Sequence, residues 1–236
     1  MNRYDFVLFD ADNTLFDFDR AEHEALGLAL EAFSIPCTPE TEALYVSINS
    51  ALWAMLDRGE ASREWLVVER FARLVKELGV DADPAALNRT YLDKLGQQPF
   101  LLPGAAEVCR ALGERCTLAI LTNGVARAQR GRFERSALAG LIPHLFISEE
   151  VGASKPSPDF FRPVLAALGI TNPRRALMVG DNLTTDIGGA AALGLDTAWY
   201  HPAAPSQSHQ TVAPTWTITR LEELIPLVLG EPSHII

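Results

Sequence analysis

The stretch Tyr4-Asp5-Phe6-Val7-Leu8-Phe9-Asp10-Ala11-Asp12-Asn13-Thr14-Leu15 decides how the rest of the chain reads. Its first half is a short, mostly apolar run of strand length. It breaks abruptly into two carboxylates one residue apart, followed by turn-forming Asn13. A near-continuous apolar strand is the signature of a parallel sheet buried on both faces, and such sheets place their ligands just beyond the strands' C-terminal ends. Four more runs repeat the pattern: Thr117-Leu118-Ala119-Ile120-Leu121, Leu145-Phe146-Ile147, Ala176-Leu177-Met178-Val179 and Thr197-Ala198-Trp199-Tyr200. Helical patterns lie between them at 104–112, 125–136, 158–168 and 184–193. This alternation predicts an α/β fold with a Rossmann-like parallel sheet.

Residues 18–98 interrupt the alternation and carry helix signals alone, at 20–33, 40–57, 63–78 and 84–95. Thr38 before Pro39, Ser62, and Asp83 before Pro84 are N-cap and first-turn signals, and Gly79 and Gly96 are candidate stops. The expected organisation is therefore a core domain of residues 1–17 and 99–236, with an inserted four-helix domain at 18–98. The chain re-enters the core near Pro99-Phe100-Leu101-Leu102-Pro103-Gly104.

The 236 residues are 48% hydrophobic and 21% charged, which is globular composition and excludes disordered, collagen-like and coiled-coil chains. A formal net charge of −10 without a Lys/Arg cluster argues against binding to nucleic acid or to a membrane surface. Cys37, Cys109 and Cys116 form no C-x-x-C and read as reduced thiols. Asp5, Asp10 and Asp12 interrupt any signal-peptide core, and the uncharged stretch Thr197–Thr219 is too polar to span a membrane, so a cytoplasmic protein is expected. His23, His144, His201, His209 and His234 show no metal-binding spacing, and no zinc, dinucleotide, Walker A or α/β-hydrolase motif occurs.

The strand ends hold the chemistry. Asp10 and Asp12 follow the first run, Thr122-Asn123-Gly124 the second, and Lys155-Pro156-Ser157-Pro158 comes soon after the third. Gly180-Asp181-Asn182-Leu183-Thr184-Thr185-Asp186 follows the fourth. Four carboxylates in one crevice repel one another unless a cation joins them, and an all-oxygen ligand set suits Mg²⁺. With Lys155, the Thr122 hydroxyl and nearby helix N-termini, such a site matches a phosphate. Hydrolysis of phosphate monoesters needs accelerations of up to about 10²¹, and a covalent phosphoryl-aspartate route supported by metal and lysine is adequate to it. Residues i and i+2 of an extended segment project to one side, so Asp10 and Asp12 can share a site.

The ordered set D-x-D-x-T-L, T-N-G, K-P-x-P and G-D-x-x-x-x-D closely resembles the haloacid dehalogenase superfamily of phosphatases over nearly the whole chain, and the helical insert resembles its C1 cap. The resemblance implies that Asp10 is the nucleophile and a Mg²⁺ ligand. It implies that Asp12 is the general acid and later the base for water, with its backbone carbonyl on the metal. Thr122 and Lys155 would hold the phosphoryl group, and Asn123 and Gly124 would offer it backbone donors. Asp181 would be a metal ligand and Asp186 would order metal-bound water. Asn13 stands where related enzymes often carry Gly, and reads as turn chemistry. Glu149 and Glu150 read as loop-shaping residues.

Asp12 favours phosphate esters over haloacids, because an alkoxide needs a proton to leave and a halide does not. Phe9 to Asp19, Asn49-Ser50-Ala51-Leu52-Trp53, Ser148-Glu149-Glu150-Val151-Gly152 and Ala213-Pro214-Thr215-Trp216-Thr217 resemble the pyrimidine 5′-nucleotidase branch. That resemblance implies a nucleoside monophosphate substrate, with Phe16, Phe18 and Trp53 as candidate base-stacking residues. Trp53, beside Leu52 and near Leu56, reads more readily as helix-bundle core. A phosphatase of small phosphosugars or phosphoglycolate, a mutase resembling β-phosphoglucomutase, and a phosphate-sensing module without turnover are the alternatives.

Overall fold

The computed structural model describes residues 2–202 and 212–230; His209 and His234 lie outside them. Strand β1 (Phe6–Phe9) is followed by four helices, α1 (Phe18–Ala32), α2 (Pro39–Asp57), α3 (Arg63–Leu78) and α4 (Pro84–Leu95). Next come α5 (Ala105–Gly113), β2 (Thr117–Thr122), α6 (Ala126–Arg135) and β3 (His144–Ile147). The chain continues through the single turn α7 (Ser148–Val151), α8 (Pro158–Ala167) and β4 (Ala176–Gly180). A π-helical turn (Leu183–Gly188) runs into the short α9 (Gly189–Ala191), and β5 (Asp196–Tyr200), β6 (Trp216–Ile218) and α10 (Leu224–Leu229) complete the described elements. The chain divides into two compact units, one formed by the residues up to Phe18 and from Pro99 onward, the other by Asp19–Gln98.

In the first unit all six strands are parallel, in the order β3-β2-β1-β4-β5-β6. Phe6 of β1 is in register with Thr117 on one side and Ala176 on the other. Chain order therefore runs outward in both directions from the β1/β4 pair. That reversal opens a crevice between the loops leaving β1 and β4.

Alternation along each strand divides the core in two. Val7, Phe9, Leu118, Ile120, Leu177, Val179 and Ala198 pack against Val108, Cys109 and Leu112 of α5 and Leu224 and Val228 of α10. Leu8, Ala119, Leu121, Ala176 and Met178 pack against Phe160, Phe161 and Val164 of α8 and Ala190 of α9. Both faces are covered, which is why the strands read as unbroken apolar runs.

The structure departs from the sequence reading in several places, among them the unread helices α7 and α10. β6 adds a sixth strand, because its three residues are too few for periodicity to reveal. The pattern at 184–193 is mostly a π-helical turn, and β2 extends through Thr122, making that residue the strand's last.

In the helical unit, the Thr38 Oγ1, Ser62 Oγ and Asp83 Oδ1 atoms accept from the N–H groups of Thr41, Trp65 and Ala85 at 3.3, 3.3 and 3.0 Å. Gly79 ends α3 in the left-handed region at φ 64°, a conformation an L side chain resists. The Tyr45, Phe71 and Tyr91 rings cluster with centroids 5.4–5.7 Å apart. Beside them Arg70, only 2% exposed, donates from Nη1 to Asn49 Oδ1 (3.1 Å), from Nη2 to Asn88 Oδ1 (2.9 Å) and from Nε to the Val67 carbonyl (3.1 Å). Asn49 passes the connection on, donating to Glu22 Oε1 at 2.7 Å. Among the described residues, no helix is long and apolar enough to cross a membrane.

Candidate active site

The site forms where β1, β2 and β4 end. Asp10 directly follows β1, and its N–H donates to the Val179 carbonyl of β4 at 2.8 Å, so sheet pairing continues into the residue that carries the carboxylate. Lys155, 3% exposed, reaches this carboxylate from the loop before α8. Its ammonium donates to Asp10 Oδ1 at 2.5 Å, Asp186 Oδ1 at 2.7 Å and the Leu121 carbonyl at 2.7 Å, which uses all three of its protons. Asn123 holds the lysine's backbone on both sides: its Nδ2 donates to the Lys155 carbonyl and its Oδ1 accepts from the Lys155 N–H, each at 2.9 Å. The Thr122 hydroxyl is buried and accepts from Gly124 N–H at 3.0 Å, so that amide is already engaged.

Asp186 is positioned by the π-helical turn after β4. Asn182 caps this turn, its Oδ1 accepting from Thr184 and Thr185 N–H, while the Asn182 N–H donates to Asp186 Oδ2 at 3.1 Å. π-Turns widen a helix locally and recur at functional sites. Here the wider turn brings Asp186 back over Gly180, where a Cβ would collide with the Asp186 carboxyl. Half-buried Asp181 is anchored by its carbonyl, which accepts from Trp199 Nε1 at 2.8 Å.

Oxygen atoms of Asp10, Asp181 and Asp186 all lie within 4.8 Å of one another. Burial pushes the Asp10 carboxyl well above its usual range; the Lys155 ammonium opposes the shift, while Asp186, Asp181 and Asp12 add to it. Burial and the Asp186 carboxylate push Asp181 up to about 7. Burial pulls the Lys155 ammonium down, but Asp10 and Asp186 outweigh it and hold the group above its ordinary value. Excess acidic oxygen at short range, with carboxyls that resist ionising, fits a hard divalent cation.

Asp12 lies at the edge of this cluster. Its Oδ2 accepts from Gln129 Nε2 at 2.7 Å, and its Oδ1 is ion-paired with Arg132 Nη2. Neither Gln129 nor Arg132 belongs to a motif found in the sequence. The available signal was their i, i+3 spacing on a helix that begins four residues after Thr122, which turns both toward the strand ends. Asn13 adopts the left-handed region at φ 57°, which Asn tolerates, and its Oδ1 accepts from Phe18 N–H at 3.2 Å. Glu150 is paired with Arg130 through two contacts of 2.6 Å on the surface.

The aromatic candidates are placed differently. Phe16 is 1% exposed and belongs to the core, with the Arg132 guanidinium carbon 5.2 Å from its ring centroid. That placement turns the ring inward rather than toward a ligand, with the backbone bridged to Asp12 and Leu101. Phe18 is half-buried, with the same guanidinium 5.6 Å from its centroid. Trp53 is half-buried on α2, within the helical unit.

Comparison with known proteins was made against this geometry. Residues 4–194 match the family described as haloacid dehalogenase-like hydrolase. The chain is 35% identical over 223 residues to the pyrimidine 5′-nucleotidase PynA of Streptococcus pneumoniae, covering 94% of each chain. It is 34% identical over 226 residues to the pyrimidine 5′-nucleotidase YjjG of Escherichia coli, covering 96% of this chain and 98% of that one. The magnesium-bound crystal structure of the protein called HAD-hydrolase YfnB, from Bacillus subtilis, superposes with a TM-score of 0.89 at 36% identity. It covers 95% of this chain and 98% of its own.

Proposed function

The chain belongs to the haloacid dehalogenase-like hydrolase family, and from that premise we propose that it is a Mg²⁺-dependent phosphomonoester hydrolase acting on pyrimidine nucleoside 5′-monophosphates. The observation that carries the reading is the contact of Lys155 Nζ with Asp10 Oδ1 at 2.5 Å inside a three-carboxylate cluster. A nucleophilic carboxylate, a cation to hold phosphoryl oxygens and a set of acidic oxygens for a metal thus share one crevice.

In this reading Asp10 attacks phosphorus. The bond from phosphorus to the ester oxygen breaks, and that oxygen takes a proton from the Asp12 carboxyl. Water then adds to the phosphorus of the phosphoryl-aspartate and gives its proton to the Asp12 carboxylate. The bond to Asp10 breaks, and inorganic phosphate leaves. Lys155, exchanging one of its three acceptors for substrate, and the Thr122 hydroxyl hold the phosphoryl oxygens, and Asn123 fixes Lys155 through its backbone. Asp10, Asp181 and Asp186, with the Asp12 carbonyl, would hold Mg²⁺, which supplies positive charge against the phosphoryl oxygens. The magnesium in the YfnB structure and the raised carboxyls of Asp10 and Asp181 support this assignment.

The pyrimidine preference rests on PynA and YjjG, which match nearly end to end. Phe18 and Trp53 are the remaining candidates for contact with the base. The unpaired thiols of Cys37, Cys109 and Cys116 support a reducing compartment such as the cytoplasm. The test is phosphate release from a panel of nucleoside monophosphates, sugar phosphates and phosphoglycolate, with Mg²⁺ and with excess chelator. Pyrimidine nucleotides are expected to lead the panel and chelator to silence them. Preference for sugar phosphates or phosphoglycolate would overturn the substrate, and turnover unaffected by chelator would overturn the metal.

A further inference from the structure

Asp12 is the one carboxylate of the crevice whose two oxygens are both held by a helix rather than by the strand-end cluster. Gln129 Nε2 takes Oδ2 at 2.7 Å and Arg132 Nη2 takes Oδ1. Both donors come from one face of α6, and both are buried, Gln129 at 3% exposure and Arg132 at 0%. Gly124 makes room for this contact, because a Cβ there would occupy the space filled by the Gln129 amide.

Arg132 is an expensive way to fill that volume. Its Nε and Nη1 have no hydrogen-bond partner among the described residues, and the guanidinium lies against the Phe16 and Phe18 rings. A buried charge with a single ion pair and two unmet donors adds little net stability, and an apolar side chain would pack the space at lower cost. What the arrangement does achieve is orientation. Two donors on a rigid helix, seated on two aromatic rings, fix both oxygens of a carboxylate that otherwise hangs from a turn containing a left-handed Asn13.

We propose that Gln129 and Arg132 are positioning residues for Asp12: they hold its carboxyl group in the one orientation that serves proton transfer to the ester oxygen and from the attacking water. The inference rests on the role given to Asp12 under the proposed function. It adds the pattern Gly124-x-x-x-x-Gln129-x-x-Arg132 to the site's machinery and makes α6 part of it.

The step assigned to Asp12 separates this from a structural role. A p-nitrophenolate leaves phosphorus without a proton, so phosphoryl transfer from p-nitrophenyl phosphate to Asp10 does not need Asp12, whereas hydrolysis of the phosphoryl-aspartate does. In Gln129→Leu and Arg132→Met, rapid mixing is expected to show a burst of nitrophenol near one equivalent per enzyme. Steady-state turnover should then be lower by about 10- to 100-fold. With a nucleoside monophosphate the first turnover itself should slow, and Arg132→Lys should recover part of the loss. Gln129→Leu, which removes only an amide, keeps the test open if Arg132→Met does not fold.

Wild-type turnover in folded Gln129→Leu and Arg132→Met would overturn the proposal. So would loss of burst and turnover in equal proportion, the mark of a damaged site. Asp12→Asn is the control for the premise. If it keeps normal turnover, the role of Asp12 itself has failed; if it shows the burst and the α6 variants do not, only the positioning inference has.

Discussion

Two of the buried cations, taken one from each unit, contrast a candidate site with a brace. Arg70 in the helical unit and Lys155 in the crevice are 2% and 3% exposed, and each donates to three acceptors. Arg70 faces two neutral amides and a carbonyl, and the Glu22 carboxylate is reached through Asn49. In that network amide dipoles stand between the buried cation and the buried Glu22. It joins α1, α2, α3 and α4. Lys155 instead faces Asp10 and Asp186 directly, with Asp181 in the same cluster. Acid exceeds base there, and the excess appears as carboxyls held above their ordinary range. An excess of buried acid over base, absent from the Arg70 network, is what a candidate ligand site looks like.

The contrast predicts opposite responses to substitution. Asp10→Asn should lower turnover by at least about 10³-fold while melting no lower than wild type, because it relieves a crowded buried charge. Phosphate release and thermal unfolding measured on one preparation check both halves, and appreciable turnover would remove Asp10 as nucleophile. Arg70→Met should do the reverse. Loss of its three donors leaves Asn49 and Asn88 with unmet buried acceptors, costing about 2–5 kcal/mol in denaturant unfolding, while turnover of the folded fraction still requires Mg²⁺.

A pH series sharpens the same comparison. Asp181 in the fold is pushed up to about 7, above its unfolded value of about 3.9, so its contribution to stability is greatest when it is protonated. In chelated protein that contribution is full below about pH 4 and falls away as pH rises through about 7. Mg²⁺ should therefore raise the melting temperature more at pH 8 than at pH 5, and an equal rise at both would contradict the crowded-carboxylate picture. The smallest effect concerns the thiols. Cys109 is buried, with its thiol pushed up to about 12, and Cys116 is buried beside the Tyr4 carbonyl, whereas Cys37 is exposed. An alkylating reagent should label Cys37 alone in native protein and all three after unfolding; native labelling of Cys109 would show the α5 packing to be wrong.

The sequence by itself determined a great deal. Apolar runs that end in Asp10, Thr122 and Gly180-Asp181 announced the parallel strands and the polar residues at their ends, since burial on both faces leaves no room for polar alternation. The caps at Thr38, Ser62 and Asp83 announced the helices of the insert, because helix starts depend on local hydrogen bonds that a few adjacent residues supply. Other features exist only through contacts between residues distant in the chain. The reversal of strand order beside β1 brings Asp10 to Asp181 and Asp186, and nothing local in the sequence specifies it. Phe16, read as a candidate for stacking on a base, was claimed by the core and by Arg132, a residue 116 positions away. Gln129 and Arg132 carried no signal beyond the helical pattern at 125–136, since a sequence shows the charge of a side chain but not which distant carboxylate will meet it. Local propensity and periodicity set the elements; long-range packing chose which polar groups to bury together, and that choice decided the chemistry.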